Sequence, residues 1–166
     1  MSDKPIMLNV GCGPDYRRDF INIDANDNLT QVDYVMDISV TRLTSQFAPG
    51  SVDYILANDV IEHQFHWEAV VILGDFFTLL KPGGQCNVRV PDCDAIINNV
   101  GIPIETRLTQ LYGGQDSPQG GTKEMERGRQ KWPQLFCHKY GWTRRRMRDA
   151  LDARCAGSDR VHDTIL

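Results

Sequence analysis

A glycine turn near residue 11 constrains the fold of this chain more than any other feature. Residues 6–10 are apolar or β-compatible, and the run ends directly at Gly11-Cys12-Gly13. Glycine takes positive φ easily and has no Cβ to block the close approach of a ligand. A buried strand that ends in such a turn is typical of the carboxyl edge of a parallel sheet, where open α/β sheets bind ligands. A lone G-x-G is a weak signal, so its meaning depends on the segments that follow.

Four further apolar runs rich in Val, Ile and Tyr follow the turn and predict strands. They cover residues 20–23, 32–36, 52–57 and 85–90. A helix is predicted between the last two strands, over residues 67–80, and residues 81–84 (Lys-Pro-Gly-Gly) end it. Its expected core face recurs at three- and four-residue spacing and consists of Val70, Leu73, Phe76, Phe77 and Leu80. Alternating strands and helices predict an α/β fold, a doubly wound and mostly parallel sheet.

The remaining segments depart from a regular alternation. About ten residues separate Gly11 from the second strand, which leaves no room for the usual crossover helix. Residues 104–111 are expected to be helical, and residues 112–131, rich in Gly, Gln and charge, to form a long mobile loop. Thr143 is expected to cap a helix to about residue 153, with Met147 and Leu151 on its buried side. Residues 160–166 are expected to form a last strand.

Length and composition fit one domain, residues 1–166, with a binding core over residues 6–94 and an acceptor-side region over residues 95–166. The apolar fraction is 41% and the charged fraction 24%, with no run long enough to span a bilayer and no signal peptide. Five cysteines without a C-x-x-C pair argue against a disulfide framework or a zinc site. We therefore expect a cytoplasmic protein without a membrane partner.

Polar side chains follow three successive predicted strands, namely Asp24, Asp37 and Asn58. The ends of parallel strands line one crevice together with the glycine turn. A carboxylate at the position of Asp24 can accept both hydroxyls of a ribose, and a second acid one strand further out can accept the amine of adenine. Asp also commonly ends strands with no ligand role. The two acids in register with the turn favour a binding site.

These residues resemble the class I S-adenosylmethionine-dependent methyltransferases, most closely the small "methyltransferase type 11" group. The similarity rests on residues 8–13, 20–24, 51–55 with 61–63, and 80–84. It implies a seven-stranded sheet of order 3-2-1-4-5-7-6 and the cofactor S-adenosylmethionine, which becomes S-adenosylhomocysteine. It also implies roles: Gly11 and Gly13 under the methionyl group, Asp24 on the ribose and Asn58 near the methionyl end. The other cofactor residues implied are Asn9 and Cys12 in the turn, and Asp37 with the backbone of Ile38 at the adenine.

The chain departs from that family in several places. Asn9 replaces an acid, Pro14 and Asp15 stand where a third glycine is usual, and the first helix is missing. The family ends in an antiparallel strand pair, and this chain has sequence for one strand only. An open sheet edge invites pairing, so a homodimer is one expectation. A noncatalytic module that binds the cofactor or a protein partner is the main alternative to an enzyme.

His138 and, second, His63 are the candidate catalytic bases. Asp59, His63 and His66 have a spacing that could ligate a metal, but a polar helix start is the favoured interpretation and no metal is predicted. Residues 123–148 hold nine of the eighteen basic residues, interleaved with Trp132, Phe136, Tyr140 and Trp142. This stretch is either a solvated surface or the site of an anionic methyl acceptor such as a sugar phosphate, nucleotide or RNA. A dehydrogenase is disfavoured because the third glycine of G-x-G-x-x-G and its helix are absent and Asp24 follows the turn too closely.

Overall fold

The computed structural model describes residues 4–113 and 121–155, and within them five strands form one parallel sheet. The strands are β1 (Met7–Val10), β2 (Ile21–Asp24), β3 (Tyr34–Val35), β4 (Val52–Asn58) and β5 (Leu80–Arg89). Their order in the sheet is β3-β2-β1-β4-β5, and every neighbouring pair is parallel. The predicted α/β class and parallel sheet are confirmed, and the order agrees with the first five strands of the implied topology. The strand expected at residues 160–166 lies outside the described residues.

Five helices accompany the sheet in the described ranges. They are α1 (His66–Leu79), α2 (Cys93–Asn98), α3 (Ile104–Tyr112), α4 (Lys123–Lys131) and α5 (Arg144–Cys155). The helices expected at residues 67–80, 104–111 and from Thr143 onward are confirmed. Every described helix is too short or too polar to cross a bilayer. The expected loop over residues 112–131 is wrong from residue 123 onward, because α4 occupies that part of the chain.

The hydrophobic core lies between the sheet, α1 and α5. Leu8, Val10 and Ile55 of the sheet pack with Phe76 of α1 and Met147 of α5, and all are buried. The predicted burial of Met147 and Leu151 is confirmed. The core face of α1 differs from expectation in part. It consists of Ala69, Ile72, Leu73, Phe76 and Leu79, while Val70 and Phe77 are half-buried.

The connection between β1 and β2 contains no helix, as the sequence predicts. The buried side chain of Asn22 forms hydrogen bonds with the backbone of this loop. Its Oδ1 accepts from the backbone N–H of Arg17 at 2.9 Å, and its Nδ2 donates to the Arg17 and Phe20 carbonyls at 3.0 Å. Hydrogen bonds from one side chain thus replace the packing that a crossover helix usually provides.

Two strands differ in extent from the expected ones. β3 is only two residues long and exposed, so the strand predicted over residues 32–36 is mostly irregular. β5 starts at Leu80, which pairs with Val52, and resumes at Gln85 opposite Tyr54. Residues 81–84 therefore bulge out of the sheet at the end of α1, where a helix stop is predicted. Lys81 in this bulge forms an ion pair with Asp53 at 2.8 Å.

Candidate functional site

A cleft of about 490 Å³ opens at the carboxyl ends of β1, β2, β4 and β5. All eight residues predicted to bind the cofactor line it, and so do both candidate bases, His63 and His138. The structure therefore brings together the whole set that the sequence singles out, at the sheet edge where it is expected. The roles of these residues in binding or catalysis stay predictions at this point.

The glycine turn forms the floor of the cleft. Gly11 and Gly13 have φ of 63° and 50°, a region that residues with a side chain rarely adopt. A Cβ on Gly11 would collide with the side chain of Val60, whereas a Cβ on Gly13 would meet nothing within 4 Å. Gly11 is therefore required by packing within the protein. Gly13 instead leaves space open above the floor.

Asp24 joins the turn to the end of β2. Its Oδ2 accepts the backbone N–H of Gly13 at 2.8 Å, and its Oδ1 accepts the N–H of Asn26 at 2.8 Å. Burial raises the pKa of Asp24, and the backbone N–H groups of Asn26, Gly13 and Ala25 oppose that rise. A carboxylate has about four acceptor positions, so at least one remains for a ligand.

Asp37 and Asn58 lie at the edges of the same cleft. Oδ1 of Asp37 accepts from both the N–H and the hydroxyl of Ser39, at 2.9 and 2.6 Å, which fixes the carboxylate orientation. Asn58 ends β4 opposite Arg89 of β5. The next residue, Asp59, has φ of 55° and forms an ion pair with Arg89, so the turn after β4 is strained and held by charge.

Asn9 has a structural role that the sequence does not reveal. Its Nδ2 donates to the backbone carbonyl of Asp15 at 2.7 Å and to Oδ1 of Asn22 at 3.1 Å. Asn9 is almost wholly buried and continues the network that Asn22 makes under the first loop. Its amide N–H groups are therefore committed to the loop, and only its carbonyl oxygen is left to serve a ligand.

The floor of the cleft is electronegative. Burial, together with the smaller effects of the charges of Asp24, Asp33 and Asp15, raises the pKa of the Cys12 thiol to about 12. The part of this rise that the carboxylates cause reports a negative potential at that point. A ligand with a positive centre is favoured there.

Helix α4 forms one wall of the cleft through Met125 and Arg129. It lies against the loop after β2, where its Gly128 packs on the side chain of Asn26 and a Cβ would come within 2.5 Å of Nδ2. Lys131 forms an ion pair with Asp27 of the same loop at 2.5 Å. This wall was missed in the sequence, although Thr122 caps the helix and acids precede bases along it, as the helix dipole favours.

His63, His138 and Glu62 lie together at one end of the cleft. The two imidazole rings meet edge to face with centroids 4.9 Å apart, and His138 Nε2 lies 4.0 Å from Glu62 Oε1. Burial raises the pKa of Glu62 to about 8. Burial, with the charge of His138, lowers the pKa of His63 to about 4, and burial also lowers that of His138. Both histidines are therefore neutral near pH 7.

A second, shallower cavity of about 650 Å³ adjoins the first at His138. Lys139, Arg145 and Arg146 line it, with Asp94 as an acid beside them. Other cations of the basic stretch are engaged elsewhere, such as Arg144, which pairs with Asp92 at 3.0 Å. Trp142 is 1% exposed and belongs to the core, so it is not available for stacking on a ligand.

Comparison with known proteins supports the fold. No family model matches the chain, and no curated protein matches its sequence. Eight chains of solved structures match, among them the crystal structure of a SAM-dependent methyltransferase from Archaeoglobus fulgidus. That match has a TM-score of 0.56 and 10% identity and covers 92% of this chain but 61% of the other. Nearly all of this chain therefore shares a Rossmann-like fold with that methyltransferase. The matched part is about three fifths of the methyltransferase's length.

Proposed function

We propose that this protein is an S-adenosylmethionine-dependent methyltransferase whose cofactor lies in the cleft above the glycine turn. One observation carries the proposal. The turn after β1 and the carboxylate after β2 are joined by the 2.8 Å hydrogen bond from Gly13 to Asp24, and both face the same cleft as Asp37. A nucleoside with two hydroxyls and an amine needs acceptors at successive strand ends of this kind. The fold that the chain shares with a methyltransferase adds support.

The cleft residues fit this cofactor in shape and charge. The volume of the cleft, about 490 Å³, lies within the range of roughly 300–1,000 Å³ that small-molecule sites have. The open space at Gly13 is room that any side chain would fill. The negative floor beneath Cys12 suits the positively charged sulfonium.

Different residues of the cleft would bind the cofactor and orient its methyl group. Asp24 would accept the ribose hydroxyls, and Asp37 with Ile38 would hold the adenine. The bound cofactor supplies a methyl group made electrophilic by its positive sulfur. Displacement at this methyl group mainly requires that the methyl group and the acceptor be aligned. The glycine turn and the wall of α4 would exclude water and fix the direction of the methyl group. His138 or His63, neutral near pH 7, would accept a proton where the acceptor must lose one.

Cofactor binding can be tested by calorimetry with S-adenosylmethionine and S-adenosylhomocysteine. We expect a measurable affinity for wild type and a loss of more than tenfold for Asp24→Ala, because charge-assisted hydrogen bonds are worth about 1.5–3 kcal/mol each. Asp19→Ala is the matched control, since Asp19 is exposed and outside the cleft. The absence of binding heat at high micromolar ligand would contradict the proposal. An unchanged affinity of the Asp24→Ala variant would mean that another residue binds the ribose.

We further propose that the methyl acceptor is anionic and enters through the cavity lined by Lys139, Arg145 and Arg146. That cavity meets the cleft at His138, so its cations would lie beside the proposed methyl end of the cofactor. With labelled cofactor and a fractionated cell extract, we expect an anionic fraction to be methylated. The double variant Arg145→Ala/Arg146→Ala should lower transfer about tenfold or more without changing cofactor affinity.

Arg148→Ala is the control for the acceptor experiment, because Arg148 is an exposed cation on the same helix that lines neither cavity. Transfer to a neutral fraction, unaffected by the arginine changes, would refute the anionic acceptor. Nuclease digestion of the labelled product would separate nucleic acid from small molecules. Tight cofactor binding with no transfer to any fraction would favour the noncatalytic module, which the uncharged Asn9 also suits.

A further inference from the structure

Three potential metal ligands converge beside the cleft, on two segments far apart in the chain. Glu62 and His63 belong to the single 3-10 turn Ile61–His63 that follows β4, and His138 comes from the segment between α4 and α5. One ligand atom from each of the three lies within 4.8 Å of the other two. The backbone fixes this meeting, since the Glu62 carbonyl accepts the N–H of Lys139 at 2.8 Å.

The carboxylate of Glu62 is buried without a partner. Its side chain is 2% exposed, and neither oxygen has a hydrogen bond with any described residue. His138 Nε2 is 4.0 Å from Oε1, too far for a hydrogen bond. A buried carboxylate that lacks both water and a donor is strongly unfavourable unless a proton or a cation joins it.

Each imidazole donates to a neighbouring backbone carbonyl through Nδ1, which leaves its Nε2 as an acceptor. Nδ1 of His63 lies 3.1 Å from the carbonyl oxygen of Cys137, and Nδ1 of His138 lies 3.2 Å from that of Leu111. A carbonyl only accepts, so in each neutral ring Nδ1 carries the proton and Nε2 keeps its lone pair. Metal-binding histidines are commonly held in this way by an outer carbonyl.

We propose that Glu62, His63 and His138 bind one divalent transition-metal ion, of the class to which Zn²⁺ belongs. Two imidazole nitrogens and one carboxylate form a ligand set that leaves coordination positions open, here toward the cleft that both histidines line. Tetrahedral bonds of about 2.0–2.2 Å place the ligand atoms roughly 3.3–3.6 Å apart, so the cluster contracts by about 1 Å on binding. Asp59 is not counted as a ligand because it pairs with Arg89.

The ion would lie where the cleft and the cationic cavity meet. If the proposed methyl transfer holds, on which this step rests, the open positions face the acceptor. His138 then serves as a ligand, and the ion rather than the imidazole promotes loss of the acceptor's proton. The alternative occupant is a proton carried by Glu62 itself.

The test is titration of chelator-treated protein with Zn²⁺, without cofactor or acceptor, so that it does not depend on the proposed function. We expect one equivalent to bind by calorimetry, and Glu62→Gln and His138→Ala each to weaken binding at least tenfold. His66→Ala is the matched control. His66 is three residues from His63, but its ring packs on Tyr140 at 4.8 Å and is outside the cluster. This variant should bind Zn²⁺ as wild type does.

A measurement on wild type covers the case in which a variant fails to fold. Imidazole ¹⁵N spectra should show two histidine Nε2 resonances shifting on addition of one equivalent of Zn²⁺. Absence of binding, or binding that Glu62→Gln leaves unchanged, would overturn the proposal. A Glu62→Gln variant of raised thermal stability, together with no zinc uptake by wild type, would instead mean that Glu62 is protonated in the native protein.

Discussion

Asn22 determines how the first loop can exist without a helix. Its side chain contacts Asn9, Asp33 and the backbone of residues 17 and 20, all from a position that is 0% exposed. Each hydrogen bond contributes about 0.5–1.5 kcal/mol, and leaving such a buried amide unpaired costs more than any one of them gains. The turn beneath the cleft is therefore fixed by polar contacts, which keep Gly13 and Asp24 in register.

Two helical glycines give a paired test at this scale. Gly128→Ala should destabilise the protein by about 1–3 kcal/mol, because the new methyl group would press on the Asn26 amide. Gly74→Ala in α1 should be neutral or stabilise by up to about 1 kcal/mol, since nothing lies within 4 Å of its Cβ position. Urea unfolding of both variants measures the difference. Equal stabilities would mean that α4 does not pack on the loop as described.

Some site residues were predictable from the sequence and others were not, for a physical reason. Asp24 and Asn58 follow apolar runs, so their place at the strand ends depends only on strand periodicity. Asn22 and Glu62 are polar residues buried by tertiary contacts with the first loop and with residues 138–140. Asn22 lies within an apolar run and Glu62 in the turn after β4, but the local sequence does not specify what their polar side chains contact. Only the assembled fold shows that both side chains are enclosed and what surrounds them.

At the scale of elements, α4 is the main feature that pattern analysis missed. Its residues are mostly charged, and it lacks the apolar stripe from which a helix is usually recognised. Polar contacts with the loop after β2 hold it instead, through Asn26 and Asp27. By contrast, α1 and α5 carry apolar side chains at helical spacing and were predicted correctly. The apolar side chains that pack α1 and α5 recur at helical spacing, so these helices can be recognised from the sequence. The polar contacts that hold α4 leave no such pattern.

At the scale of the whole molecule, β5 is an edge strand of the sheet within the part of the chain that the structure describes. Its first half is protected by Lys81, Pro82 and the bulge, as natural edges often are, but residues 85–89 form a regular strand. We expect a second copy to pair there. Light scattering at several concentrations should then give twice the chain mass of 18.8 kDa. A single-chain mass at all concentrations would contradict this.

The docking of α4 also has a consequence for the order in which the cleft can form. The contact between Asn26 and Glu124 joins residues 98 apart, and that between Asp27 and Lys131 joins residues 104 apart. During synthesis, β1 to β5 leave the ribosome before this wall does, because α4 follows β5 in the chain. A nascent chain therefore contains the residues of the acidic floor before it contains those that enclose the site. A ligand that needs the wall would stabilise only the finished protein, and its binding would mark the end of folding.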